Sequence, residues 1–304
     1  MDDHYVSQTY LGSFTNSEGY LIPYYKSANA VLGNPKPPKS VCYEVDGDSN
    51  KYFDDPRILD SYLPQFENPW TWNVERLREH VLDDIMKYQI AGYIAFLRTC
   101  TPTAKRIGQT MIKATVQPTF EETTQRHFRD HPSEDEETKS IIGKAIEQKD
   151  IDVEIDRQFP HAMGISSLIK LTERYFYCKW LVLLNNLEVP FLTSDNPAVT
   201  YYHTNDHSRG RIYVPVAPDV AILINADLGE DRFAEPKAKY VEVFDDLIIK
   251  AAEKRVFSNS AESWIEAKVR EFMDWRMEAV VDELPHLGGR IIVTRQLVRK
   301  IELA

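Results

Sequence analysis

Two rhythms of apolar and polar residues divide this chain. From residue 55 to 177 the apolar positions recur at threes and fours, the period of helices that bury one stripe. Leu77, Val81, Leu82 and Ile85 form one such stripe, with Asn73 placed to cap its start. Residues 88–97 are apolar almost all round (Ile90, Ala91, Tyr93, Ile94, Ala95, Phe96, Leu97), which predicts a central buried helix. Pro102 lies just beyond Arg98 and Thr99, so this helix should end at Arg98. Residues 103–116, burying Ile107, Met111 and Ile112, predict another helix, and 141–146 and 162–177 two more.

After residue 178 the rhythm shortens. Apolar runs at 180–184, 191–193, 198–202, 211–214 and 221–225 predict strands, and the short Asn-, Pro-, Asp- and Gly-bearing turns between them predict mostly antiparallel pairing. The helix period returns at Phe244, Leu247, Ile248, Ala251, Ala252 and Arg255. Asn259 and Glu262 have capping-box spacing before a helix carrying Trp264, Val269, Phe272 and Trp275. Gly288-Gly289 breaks the chain ahead of a last strand at 290–294. Near the start, HYVSQTYLGSF (4–14) has helical spacing that would put His4 and Gln8 on one face. A turn at 16–19 then leads to a strand at 20–25, and 41–45 is a further candidate strand. The expected fold is α+β. One domain spans 1–304, helix-rich over 55–177, strand-rich over 178–230, with C-terminal helices over 240–283. An antiparallel or mixed sheet from the second half is packed by helices from the middle and C-terminus.

Composition narrows the function classes. The 304 residues carry 36 Lys and Arg against 47 Asp and Glu, a net charge of −11. Non-specific nucleic-acid binding and anionic membranes are disfavoured, since both need a broad basic surface. Cys42, Cys100 and Cys178 are odd in number and widely spaced, which predicts reduced thiols and a cytoplasmic protein. The first residues, MDDHYVSQTY, lack the apolar segment of a secretory signal, and no apolar run reaches the roughly 20 residues of a membrane helix. No phosphate loop, dinucleotide GxGxxG, HExxH or GxSxG elbow is present.

The candidate chemistry gathers at Thr193-Ser194-Asp195-Asn196-Pro197, a polar tip between apolar runs. Asp195 offers a carboxylate, as a general base or as a ligand of a divalent metal ion; the same residues are also ordinary turn formers. Imidazole titrates near neutrality, which makes His4 the acid/base candidate. Arg98, closing the apolar helix, needs either an ion pair with Asp195 or Glu67 or an anionic ligand. His203, Asp206 and His207 have metal-ligand spacing inside a hydrophilic loop, and Arg126 and His131 lie five apart on an acidic helix end. Residues 130–137 (DHPSEDEE) predict an exposed loop.

The HYVSQTYLGSF segment, the apolar helix ending Arg98-Thr99, TSDNP, a later VPVAP and AAEKRVFS (251–258) together resemble the family called domain of unknown function 4238, over nearly the whole chain. Family members usually carry Pro where this chain has Ser7, a change expected to alter only local backbone preference. The resemblance implies a mainly microbial domain and points to His4, Gln8, Arg98, Asp195 and Asn196. With Ser194 added, these positions define the expected site. His4, Asp195 and Arg98 would act on a phosphorylated or other anionic small molecule, as in a hydrolase. Gln8, Asn196 and Ser194 would contact it. The alternatives are a regulatory module that binds such a ligand without chemistry and a purely structural polar cluster.

Overall fold

The computed structural model describes residues 1–27, 31–131, 135–202, 210–225, 228–286 and 289–301. The chain opens with β1 (Asp2–His4), α1 (Gln8–Gly12), β2 (Ile22–Tyr25) and β3 (Tyr43–Val45). His4 therefore belongs to a strand, paired with Tyr43, and shares no helix face with Gln8. The helix begins only at Gln8 because Ser7 caps it: Ser7 Oγ accepts from Tyr10 N at 3.2 Å. Ser7 N–H in turn donates to Tyr93 Oη at 2.8 Å. The usual proline would have neither group, so this departure reaches further than local backbone preference.

The helical layer comprises α2 (Ile58–Tyr62), α3 (Pro64–Glu67), α4 (Trp70–Arg78), α5 (Asp84–Thr99), α6 (Pro102–Asp130), α7 (Glu136–Glu147) and α8 (Gln158–Tyr177). The expected stripe through Leu77 and Ile85 is two helices, because His80 turns the chain with a φ of 61° and Asp83 caps a new start on Met86 N. Asn73 is no cap; it lies buried inside α4 and donates to Gln89 Oε1 at 3.0 Å. The central helix is α5, as its all-round apolar surface requires. Thr101 caps α6 through Ala104 N, with Pro102 in the first turn, where a missing N–H costs nothing. This helix runs on through Pro118 to Asp130, well past the expected end at 116, and α7 takes residues 136 and 137 from the predicted acidic loop. Gly164 of α8 lies against α5: a Cβ there would meet the Thr99 carbonyl oxygen at 2.5 Å.

The second half contributes β4 (Lys179–Leu184), β5 (Thr193–Ser194), β6 (Val199–Tyr201), β7 (Arg211–Ala217), β8 (Val220–Asn225) and β9 (Arg232–Ala234). The main sheet has the order β6-β7-β8-β4-β9, antiparallel except for the parallel β4–β9 edge. Both faces are covered. Trp180, Val182 and Leu184 join the core shared with α5, while Leu183 joins a second core; neighbouring β8 divides Ile222 and Ile224 from Ala221 and Leu223 in the same way. That second core holds Val241, Phe244 and Ile248 of α9 (Ala238–Ala251).

Four expectations fail around α9. The helix stops at Ala251, and Arg255 instead opens β10 (Arg255–Ser258), the middle strand of a small sheet ordered β2-β10-β5. The 191–193 run is therefore not a strand of the main sheet. Next comes α10 (Ser263–Glu271), whose Glu262 cap position makes no side-chain capping bond. Trp275 lies not in that helix but at the start of β11 (Trp275–His286), which pairs with β12 (Gly289–Lys300) as a long hairpin. The fold is α+β, with several antiparallel or mixed sheets packed by helices. Among the described residues no helix is long and apolar enough to cross a membrane.

Candidate functional site

Two polar regions emerge from this packing. The first is the corner at 193–197. Asp195 leaves β5 buried, and both its carboxylate oxygens are taken: Oδ1 accepts from Glu253 N at 2.8 Å, and Oδ2 from Lys254 N at 2.8 Å and Arg255 N at 3.0 Å. Burial pushes its pKa up to about 6, against the pull of those main-chain N–H groups. Ser194 Oγ accepts from Asn196 N at 3.1 Å, and Asn196 Nδ2 donates to the Ala251 carbonyl at 3.0 Å. Lys26 reaches the same helix end from β2, its Nζ donating to the carbonyls of Ile249, Lys250 and Ala252 at 3.0 to 3.2 Å. Burial lowers its pKa to about 8. The corner thus ties β5 to the turn between α9 and β10.

The N-terminal segment does meet this corner, through Tyr10 rather than His4. Tyr10 Oη donates to the Pro215 carbonyl at 2.6 Å and lies 2.7 Å from Thr193 Oγ1. Tyr5 and Cys42 are buried nearby; burial raises the pKa of both, and the charge of Asp195 adds to the shift. His4 is half-buried, its Nε2 3.3 Å from the Lys39 carbonyl, and burial lowers its pKa. Gln8 is exposed in the first turn of α1. Neither expected ion pair of Arg98 forms. Its Nη1 donates to the Ala198 carbonyl at 3.3 Å, and its Nε is buried without a partner. Asp195 is turned to three main-chain N–H groups instead, and Glu67, which burial and then Asp48 push up to about 7, is a weak attraction for a cation.

The second region is a cleft of about 420 Å³ where α6 and α8 begin, closed on its third side by residues 44–49. Pro102, Lys105 and Arg106 from the first turns of α6 line it, with Arg157, Gln158 and His161 from the start of α8. The main-chain N–H groups at these two helix starts are largely taken or missing: in α6 Pro102 has none and Ala104 N is held by Thr101 Oγ1, and in α8 Pro160 has none while Gln158 N and Phe159 N donate to the Asp156 Oδ1 and carbonyl oxygens at 2.8 and 3.0 Å. Lys105 Nζ bridges Glu44 Oε2 at 3.3 Å and the Gly47 carbonyl at 2.9 Å. Gln158 is held by Asn50 Nδ2 on its carbonyl at 2.9 Å and by Lys51 N on its Oε1 at 3.1 Å. His161 is 2% exposed, yet its Nε2 makes no hydrogen bond. Burial, then the charge of Lys105, pushes its pKa down to about 3, so the ring stays neutral. Just behind, Asp48 is raised to about 6 by burial and by Asp3, with Lys105 and Arg57 opposing.

The sequence model of a family described as "Protein of unknown function (DUF4238)" matches residues 3–262. The chain belongs to the DUF4238 family. No curated protein and no solved structure matches it. In this DUF4238 protein the family match takes in both the corner and the cleft. Among the described residues no group of three or more His, Cys, Asp and Glu comes together to hold a metal ion. Arg126 and His131 lie exposed at the far end of α6, with Arg126 paired to Glu122 at 3.1 Å. His203, Asp206 and His207 lie outside the described residues. Sequence reasoning missed the cleft because its halves are about fifty residues apart; the available signal was a capped helix start at Thr101-Pro102 followed at once by Lys105 and Arg106.

Proposed function

We propose that this DUF4238 protein is a binding module for a small anionic group, a phosphate or carboxylate, held in the cleft where α6 and α8 begin. The observation that carries the reading is His161: a neutral, buried imidazole whose Nε2 has no partner, in a cleft lined by Lys105, Arg106 and Arg157. An orphaned buried polar nitrogen costs free energy that a bound oxygen would recover. The exposed Arg157 supplies the attraction, since Lys105 is already paired with Glu44 and Arg106 with Glu253 and Glu278. A hydrolase built on His4, Arg98 and Asp195 has less support, because Asp195 would have to leave three main-chain N–H groups to reach a substrate or a divalent ion.

Thermal shift and calorimetric titration with inorganic phosphate, acetate and sulfate test the proposal. A ligand at a hundred times its Kd should stabilise the fold by about 2.7 kcal/mol, a shift of several degrees. Arg157→Glu should abolish that shift while leaving the unliganded Tm unchanged, since Arg157 is exposed. Absence of binding by all three anions, or equal binding to the Arg157→Glu protein, would overturn it.

A further inference from the structure

The anion cleft does not end at Arg106. Arg106 and Gln109 also line a groove of about 600 Å³ that continues along α6. On one side runs the non-helical segment 151–155, pinned to α6 by two glutamines eight residues apart: Gln109 Nε2 donates to the Ile155 carbonyl at 2.9 Å, Gln117 Nε2 to the Ile151 carbonyl at 3.0 Å, and Val153 N donates to Gln117 Oε1 at 2.8 Å. On the other side is β11, represented by Val281 and Glu283.

The outer edge of β11 can be assigned residue by residue. In an antiparallel pair, successive residues turn their main-chain groups alternately toward the partner strand and away from it. Asp274 turns toward β12, since its carbonyl accepts from Ile301 N at 2.7 Å. Odd-numbered residues turn away: the Trp275 carbonyl accepts from Lys26 Nζ, and the Met277 carbonyl accepts from Arg106 Nη2 at 2.7 Å. Val281 shares that parity and faces the groove. The first half of this edge is thus covered by two cationic side chains, a common protection of an open strand edge. At Val281 the same edge borders a groove that leads into the anion cleft.

Resting on the anion-binding reading, we infer that the ligand is the C-terminal segment of a peptide or protein. Its terminal carboxylate occupies the cleft beside Arg157 and His161. Its extended backbone adds to the outer edge of β11 along the groove. Strand addition supplies main-chain hydrogen bonds and the cleft fixes the register, a division of labour suited to reading chain ends. The direction follows from the layout. Met277 marks the cleft end of β11 and Val281 the far end, so the bound segment runs antiparallel to β11. The free carboxylate selects the terminus, because a C-terminal amide presents no charge to Arg157.

A random octapeptide library with free C-termini, passed over the immobilised full chain, yields retained sequences. Each is then resynthesised as free acid, as C-terminal amide, and with alternate backbone amides N-methylated, and measured by fluorescence anisotropy. The free acids should bind about ten- to a hundredfold more tightly than the amides. One of the two N-methylation patterns should cost at least tenfold and the other little. Val281→Pro removes an outward N–H without touching the hairpin ladder, so it should weaken peptides at least tenfold while inorganic phosphate still binds. The inference is overturned if no peptide is retained, if acid and amide bind alike, or if both methylation patterns and Val281→Pro are without effect. Phosphate binding without peptide binding removes this inference alone; loss of phosphate binding in the wild-type protein removes the anion site beneath it as well.

Discussion

Tyr10 Oη and Thr193 Oγ1 lie 2.7 Å apart across 183 residues of sequence, and the same phenol donates to the Pro215 carbonyl. One buried hydroxyl therefore joins the first helix, the polar corner and the main sheet. Tyr10→Phe should destabilise the protein by about 1–2 kcal/mol, because a buried carbonyl and a buried hydroxyl lose their partner. A double-mutant cycle with Thr193→Val, followed by urea unfolding, should give a coupling of at least about 0.5 kcal/mol. Strict additivity would mean that the bond contributes nothing specific.

Ser7→Pro restores the residue usual in the family and separates two effects. Ser7 has a φ of −63°, which proline adopts without strain. The variant still loses the N–H given to Tyr93 and the hydroxyl that caps α1, so a loss of about 1–2 kcal/mol is expected. A Tm equal to or above wild type would show that backbone pre-ordering outweighs both bonds.

Asp195→Asn tests the corner. An amide must turn its NH2 toward main-chain N–H groups that now donate to a carboxylate oxygen, and a cost of about 2–4 kcal/mol is expected from a buried network left half-satisfied. Anion binding at the cleft should survive under conditions where the variant is folded. An unchanged Tm would return this carboxylate to the list of reactive groups.

Asp48 predicts a pH dependence of stability. Its folded pKa, about 6, lies above the usual 3.8. Between those values the folded state holds the proton more firmly than the unfolded chain, so this group's contribution is complete at low pH, is lost as pH rises toward 6, and is flat above. Asp48→Asn should raise the stability at pH 7.5 by up to about 2–3 kcal/mol. It should also shrink the difference between urea midpoints at pH 5 and pH 7.5. An Asp48→Asn midpoint at pH 7.5 no higher than wild type would contradict the assignment.

What the sequence displayed depended on how local the cause was. The strands β4, β7 and β8 stood out because burial on both faces makes them continuous apolar runs. The all-round apolar surface of α5 was equally plain. The α4–α5 break was hidden, since the helical stripe continues through His80 and only a left-handed turn at that residue reverses the chain. Likewise β10 was masked by Ala251, Ala252 and Arg255, which keep helical spacing although Asp195 draws the backbone there into a tight turn. The corner residues were visible as a motif, but their use was not: whether a carboxylate faces a ligand or three amides depends on a segment almost sixty residues away. Tyr10 looked like one more core aromatic because its partners come from β5 and β7.

Gly164 gives the aperture of the cleft a single point of control. With only hydrogen facing the Thr99 carbonyl, α8 can lie directly on the end of α5, and α6 starts three residues later. Adding one methyl at this pivot should lever the mouths of α6 and α8 apart. A graded series, Gly164→Ala then Gly164→Ser, would act as a set of spacers, loosening the grip on anions stepwise with no cation removed from the sequence.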